Sequence, residues 1–190
     1  QVHGYCYGGH MCLAMACDIT IASEEAIFAH AGYRYMGPSA EGLLAPWFLN
    51  VGVKKTMELM LTGRPFSAEE AERIGVVNQA VPLEELEKEV QRNAEAIALL
   101  SLDGIVMGKY ASRLFLDRMG YGGITAVVAH GMGGNVKWEK GDFNVYKERR
   151  VRGLKGSFRV REARYAKLGM DIDTVRAEVS ERLARKRQKK

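Results

Sequence analysis

Apolar side chains fall in two rhythms along this chain, dense short runs first and helical spacing later. Gly8 and Gly9 precede apolar positions at Met11, Leu13, Ala14, Met15 and Cys17, which predicts a short buried helix entered through a glycine turn and ended by Asp18. Residues 19–22 and 26–28 read as two short strands separated by the polar Ser23-Glu24-Glu25. Their apolar density implies burial on both faces, as in an α/β sheet. A Gly- and Tyr-rich loop over 32–39 leads to helices over 41–49 and 54–61, with Gly52 and Gly63 as punctuation.

Ser67-Ala68-Glu69-Glu70 has the form of a capping box, in which Ser67 accepts from the Glu70 amide and Glu70 reaches back. That helix stops at Gly75, a strand covers 76–81, and Pro82 ends it. From 83 to 100 apolar residues recur at 83, 86, 90, 94, 97 and 100, with charge on the other face, so an exposed amphipathic helix is expected. Beyond residue 105 helical segments over 105–118, 124–130, 143–150 and 158–168 follow one another with glycines between them. Helices gathered at one end of a chain often pack across a subunit boundary. The organisation read from these patterns is an α/β core over 1–100, a helical region over 101–169 and a basic helical or disordered tail over 170–190.

Composition narrows the classes. With 190 residues, 47% hydrophobic and 27% charged, there is material for a core. Apolar runs such as 43–45 and 126–129 fall far short of the roughly 20 residues of a bilayer span, so no membrane crossing is expected. Cys6, Cys12 and Cys17 are odd in number and form no metal-type pair, which argues against a disulfide framework or a metal site and for a reducing, cytoplasmic compartment. Of 28 basic and 23 acidic side chains, six basic and one acidic lie in residues 181–190, so the first 180 residues are balanced. No aromatic platform accompanies that tail; a solvated terminus is the expectation, rather than a nucleic-acid arm. Between Lys140 and Lys167 ten basic side chains face only Asp142, Glu148 and Glu162, a possible landing surface for a phosphate-bearing ligand. The chain opens on Gln1-Val2-His3-Gly4 without an initiator Met, and a preceding N-terminal part is expected.

Two stretches could carry chemistry. In Gly4-Tyr5-Cys6-Tyr7-Gly8-Gly9-His10 the paired glycines at a helix start leave the Gly9 N–H bare where the helix dipole adds positive potential, which is how an oxyanion is held; a tight turn packed on a strand is the other reading. In the stretch from His30 to Gly42, Glu41 stands just ahead of the apolar Leu43-Leu44-Ala45-Pro46-Trp47. Desolvation there would raise its pKa for acid–base work; a helix-start acid placed for the macrodipole is the equal alternative. His3, His10, His30 and His130 show no metal spacing, and only His10, beside the glycine turn, stays open for a role.

Taken in order, His3-Gly4-Tyr5-x-x-Gly8-Gly9, Ala14-x-Ala16-Cys17-Asp18-Ile19-x-Ile21-Ala22, Ala26-x-Phe28, Val51-Gly52, Met57-Glu58-Leu59-x-Leu61-Thr62-Gly63 and the block from Ser67 to Pro82 resemble the crotonase superfamily, the enoyl-CoA hydratase/isomerase family. The resemblance implies a spiral of ββα units with C-terminal helices that assemble a homotrimer or a hexamer. It implies acyl-CoA thioester substrates, with CoA entering as part of the substrate and no separate cofactor, and an enolate held by two backbone N–H groups. Gly9 would supply one donor; the other belongs to an earlier strand, before this sequence begins.

Hydratases of the family carry glutamates at positions that here read Cys12 and Gly32. Other members, dienoyl-CoA isomerases, a CoA-linked dehalogenase and dihydroxynaphthoyl-CoA synthase, resemble this chain in a carboxylate at the position of Glu41. The resemblance thus implies Gly9 and Glu41 as catalytic groups. Tyr7, Gly8, His10, Tyr33 and Tyr35 are the expected substrate-binding residues. Carbon–carbon bond chemistry on a β-keto thioester, and a non-catalytic acyl-CoA-binding or trimeric scaffold, stand as alternatives.

Overall fold

The computed structural model describes residues 1–30, 32–35, 44–121 and 137–189. Strand β1 (Tyr5–Tyr7) runs into helix α1 (Gly9–Ala16), followed by strands β2 (Ile21–Ser23) and β3 (Ile27–Ala29). Short helices α2 (Gly32–Tyr35) and α3 (Leu44–Asn50) precede α4 (Val53–Thr62), β4 (Phe66–Ser67), α5 (Ala68–Arg73) and β5 (Gln79–Val81). Helices α6 (Leu83–Ala98) and α7 (Leu102–Leu116) follow, with a π-helical turn at Asp117–Tyr121. The chain ends in α8 (Val145–Ala166) and α9 (Ile172–Gln188).

Strand β3 is central in a three-stranded sheet, parallel to β1 and antiparallel to β4, while β2 pairs in parallel with β5. Val2 ties the two sheets together: its N–H donates to Ile21 O at 2.9 Å and its carbonyl accepts from Ser23 N at 2.9 Å. Every residue of β2 and β3 is buried, as parallel strands covered on both faces require. Around them Phe28, Phe66, Met11, Trp47, Leu59 and Met60 form the main core, with Phe28 and Phe66 stacked at 5.8 Å.

Several boundaries differ from the sequence reading. The strand expected over 19–22 begins at Ile21, because Val2 and β5 offer ladder partners only from there; Thr20 N instead donates to Asn78 Oδ1 at 2.7 Å. Ser23, expected in a polar turn, is a fully buried strand residue. The strand expected over 76–81 is confined to Gln79–Val81, since the amides of Val76 and Val77 turn back to Ala71 O at 2.8 and 3.3 Å. Ser67 does cap α5, accepting from Glu70 N at 3.2 Å, but Glu70 does not return the bond. Arg64 holds that carboxylate by contacts of 2.9 and 2.6 Å, and a charge-assisted pair outcompetes a neutral amide.

The two helices expected over 143–150 and 158–168 are one segment kinked at Gly153, whose φ of 68° only glycine adopts readily. The basic tail is a helix docked on the body, not a frayed terminus. Asp171 caps α9 by accepting from Asp173 N and Thr174 N at 3.0 and 3.1 Å, Val179 is buried, and Arg182 and Lys186 pair with Glu69 and Glu24. The amphipathic stripe of α6 is only half used: Leu86 packs with Ile21 and Val81, while Ile97, near its end, stays exposed. The segment expected over 124–130 and His130 lie outside the described residues.

Candidate active site

The turn between β1 and α1 follows from two glycines. Gly8 adopts φ 54° and ψ −117°, a conformation an L side chain resists, and its N–H donates to Ala29 O at 3.1 Å across the sheet. That bond registers the start of α1 against the end of β3. The first intrahelical bond runs from Cys12 N to Gly8 O at 3.0 Å, so the amides of Gly9, His10 and Met11 have no acceptor within the helix. No side chain caps α1 and none in its first turn is acidic, leaving its positive end uncompensated among the described residues. Among the described residues a Cβ built on Gly8 or Gly9 meets nothing within 4 Å, and Gly9 is exposed.

Because β1 and β3 are parallel, α1 and α2 leave the same edge of the sheet, where ligands of α/β folds collect. His10 is exposed and lines a surface cleft of about 320 Å³ with His3, Tyr5, Leu13 and Ile19. Tyr7 is half-buried; its hydroxyl is enclosed without a hydrogen-bond partner among the described residues. Burial, with Glu162 and Tyr5 nearby, holds that phenol's pKa above the ordinary range, so the group is a neutral donor. Tyr33 is half-buried and packs against the main core. The side chain of Tyr35 and the whole of Glu41 lie outside the described residues.

The cysteines supply no nucleophile near the turn. Burial pushes Cys6 up to about 11, with Cys12 adding to the rise, and burial likewise raises Cys12. No cluster of three or more His, Cys, Asp or Glu side chains suited to a metal occurs among the described residues.

A charged hub that the sequence did not announce lies where α2 meets the end of α4 and α8. Arg34, on α2, has its side chain 1% exposed. Its Nε donates to Thr62 O, its Nη2 donates to Met170 O at 2.8 Å, and its Nη1 stands 3.8 Å from Glu162 Oε2. The guanidinium carbon lies 3.4 Å from the centre of the Tyr165 ring. Desolvation draws the Arg34 pKa down and Glu162 pulls it back. Its one signal in the sequence was a lone cation just after a buried strand. Of the basic stretch over 140–167, Arg161 is buried against Glu162 and Arg164 donates to Gly141 O at 3.2 Å, whereas Lys147, Arg150, Lys155 and Arg159 are exposed.

Strands that lead through a glycine turn into a helix with open N-terminal amides, followed by a helical C-terminal region, define an α/β protein. Residues 1–114 match the family described as enoyl-CoA hydratase/isomerase, and the chain belongs to that family. It is 41% identical over 110 residues to a probable mitochondrial enoyl-CoA hydratase of Dictyostelium discoideum, covering 58% of this chain and 40% of that protein. A probable enoyl-CoA hydratase of Rhizobium meliloti is 41% identical over 121 residues, covering 61% of this chain and 45% of the relative. The chain thus spans under half the length of these curated relatives. An enoyl-CoA hydratase/isomerase structure from Xanthobacter autotrophicus Py2 superposes with a TM-score of 0.70 at 27% identity, over 85% of this chain and 60% of that one. A monofunctional enoyl-CoA isomerase from M. smegmatis gives 0.54 at 36% identity, over 60% and 54%. The expected crotonase-type α/β fold is therefore present.

Proposed function

We propose that the protein acts on acyl-CoA thioesters through an enolate. The open Gly9 amide at the positive end of α1 carries this reading. Glu41 takes the α-proton as the C–H bond breaks; its electron pair forms the Cα–C double bond, and the carbonyl pair moves to the thioester oxygen, which accepts from Gly9 N–H. Return of a proton at the α-carbon reverses the step, and return at a conjugated position moves the double bond. One such donor accounts for about 10²–10³ in rate in enzymes of this kind. Tyr7, Gly8 and His10 flank the thioester, with Tyr33 and Tyr35 beside the acyl group, and the exposed Lys147, Arg150, Lys155 and Arg159 offer charge to CoA phosphates.

Isomerisation is favoured over water addition because the two hydratase glutamate positions hold Cys12 and Gly32, and the Cys12 thiol is kept protonated by burial. Three free thiols fit a reducing compartment such as the cytoplasm. A second copy is the occupant proposed for α7, none of whose side chains is buried among the described residues and which carries Leu102, Val106, Met107, Tyr110 and Phe115, so a homotrimer or hexamer is the expected assembly.

The test is α-proton exchange of butyryl-CoA into deuterated solvent by the whole protein. Exchange that Glu41→Gln lowers at least about 10²-fold supports the mechanism; unchanged exchange removes Glu41 from it. The same substitutions at Cys12 and Gly32 favour a second reading, a non-catalytic acyl-CoA binder, which predicts tight binding of butyryl-CoA without any exchange. Carbon–carbon bond cleavage of a β-keto thioester by water would appear as a shorter acyl-CoA together with a free carboxylic acid.

A further inference from the structure

Arg34 joins parts of the chain that the sequence keeps far apart. Its stem crosses Gly63, where a Cβ would stand 2.7 Å from Arg34 Cγ, so the glycine clears the path as well as closing α4 in the left-handed conformation. Each end of the guanidinium then meets a different segment: Thr62 O at the end of α4, Glu162 on α8, and Met170 O in the turn between α8 and α9. Tyr165 lies under its flat face at 3.4 Å. Glu162 extends the network, its Oε1 accepting from Arg161 Nε at 2.8 Å and its Oε2 from Ile172 N at 3.3 Å, the first residue of α9. A buried cation so completely enclosed needs its whole set of acceptors at once, because a partner removed leaves charge in a poorly solvating medium.

The consequence reaches the glycine turn. Arg34 sits in α2, directly beyond β3, and β3 ends at Ala29, whose carbonyl holds Gly8 N–H at 3.1 Å. Tyr7, the residue before that turn, feels the charges of Glu162, Arg161 and Arg34. We infer that Arg34 is a positioning residue that latches the α8–α9 turn to α2 and to the end of α4, and thereby fixes the segment leaving β3, whose Ala29 carbonyl registers the glycine turn. The C-terminal helices, outside the stretch 1–114 that carries the family match, are on this view part of what shapes the site. The catalytic side of the inference rests on the enolate reading above; the latch itself does not.

Amide exchange and turnover, measured together in the whole protein, test it. Arg34→Lys keeps the charge and most of the stem but cannot reach acceptors in three directions. Amides over 33–35 and over 168–172 are expected to exchange about tenfold faster together, while those over 79–90 stay unchanged. For butyryl-CoA the expected result is a kcat loss of roughly ten- to hundred-fold with KM nearly constant, the mark of misplaced groups and not of lost binding. Glu162→Gln, which keeps the shape, should reproduce the same joint loosening to a smaller degree. Loosening confined to one of the two segments overturns the latch. Joint loosening with kcat intact overturns the positioning role. Wild-type protein that exchanges no α-proton overturns the enolate reading and the positioning role with it, while joint loosening still supports the latch.

Discussion

Strands β2 and β3 bury every residue they have, whereas α7, 15 residues long and carrying Leu102, Val106, Met107, Tyr110 and Phe115, buries none among the described residues. The difference is one of partners, not of side chains. Each strand is flanked by a parallel neighbour and covered by helices that bring buried apolar side chains against it. Helix α7 has a comparable apolar content and meets no such surface among the described residues. The same contrast runs inside α6, whose first turns lie on Ile21 and Val81 while its end is exposed. Apolar periodicity states that a face is available for burial; a second surface decides whether burial occurs.

That contrast can be broken most sharply in the core. Phe28→Ala removes a fully buried ring from between Phe66 and its neighbours and should cost about 3–5 kcal/mol, read as a lowered denaturant midpoint at constant m-value. A smaller loss follows from Ser67→Ala, which strips the acceptor from Glu70 N and should destabilise by about 1 kcal/mol in the same measurement.

Acid tests the ion-pair network beside that cap. The Arg64 hydrogen bonds hold the Glu70 carboxyl below its ordinary value of 4.5, and Lys55 foremost, with Arg64, does so for Glu58. A folded-state pKa below the unfolded one means the contribution is whole above about pH 4.5 and is lost as pH falls through the folded values. Stability measured from pH 6 down to 3 should decline in that window, and less steeply in Glu70→Gln. The smallest effect belongs to α7: Leu114→Ser, at an exposed position, should change the stability of the isolated chain by under about 0.5 kcal/mol while weakening self-association in light scattering.

Much of the core was legible because it depends on near neighbours. The glycine pair at 8 and 9 announced the turn, Asp18 and Pro82 ended elements, and Ser67 announced its cap, since each acts within a few residues of itself. Strand edges were less legible. Ile19 is as apolar as Ile21, yet only Ile21 has Val2 and Gln79 beside it. For the tail, helix and disorder were both open and its charged run is solvated as expected, but that it docks as a helix depends on Val179 and on the pairs of Arg182 and Lys186, whose partners lie far away in the chain.

By itself the sequence determined the glycine turn ahead of α1, the Ser67 cap of α5 and which runs could be buried, but not that the loop expected over 32–39 opens with helix α2; the first three are consequences of backbone conformation and local hydrogen bonding. Only the tertiary structure decided that Tyr33 packs against the main core, that Glu70 belongs to Arg64, and that Arg34 is buried among Thr62, Glu162, Tyr165 and Met170. The physical reason is that a buried charge is stable only where acceptors converge on it, and the convergence of residue 62 and residues 162–170 on Arg34 is a property of the packed chain.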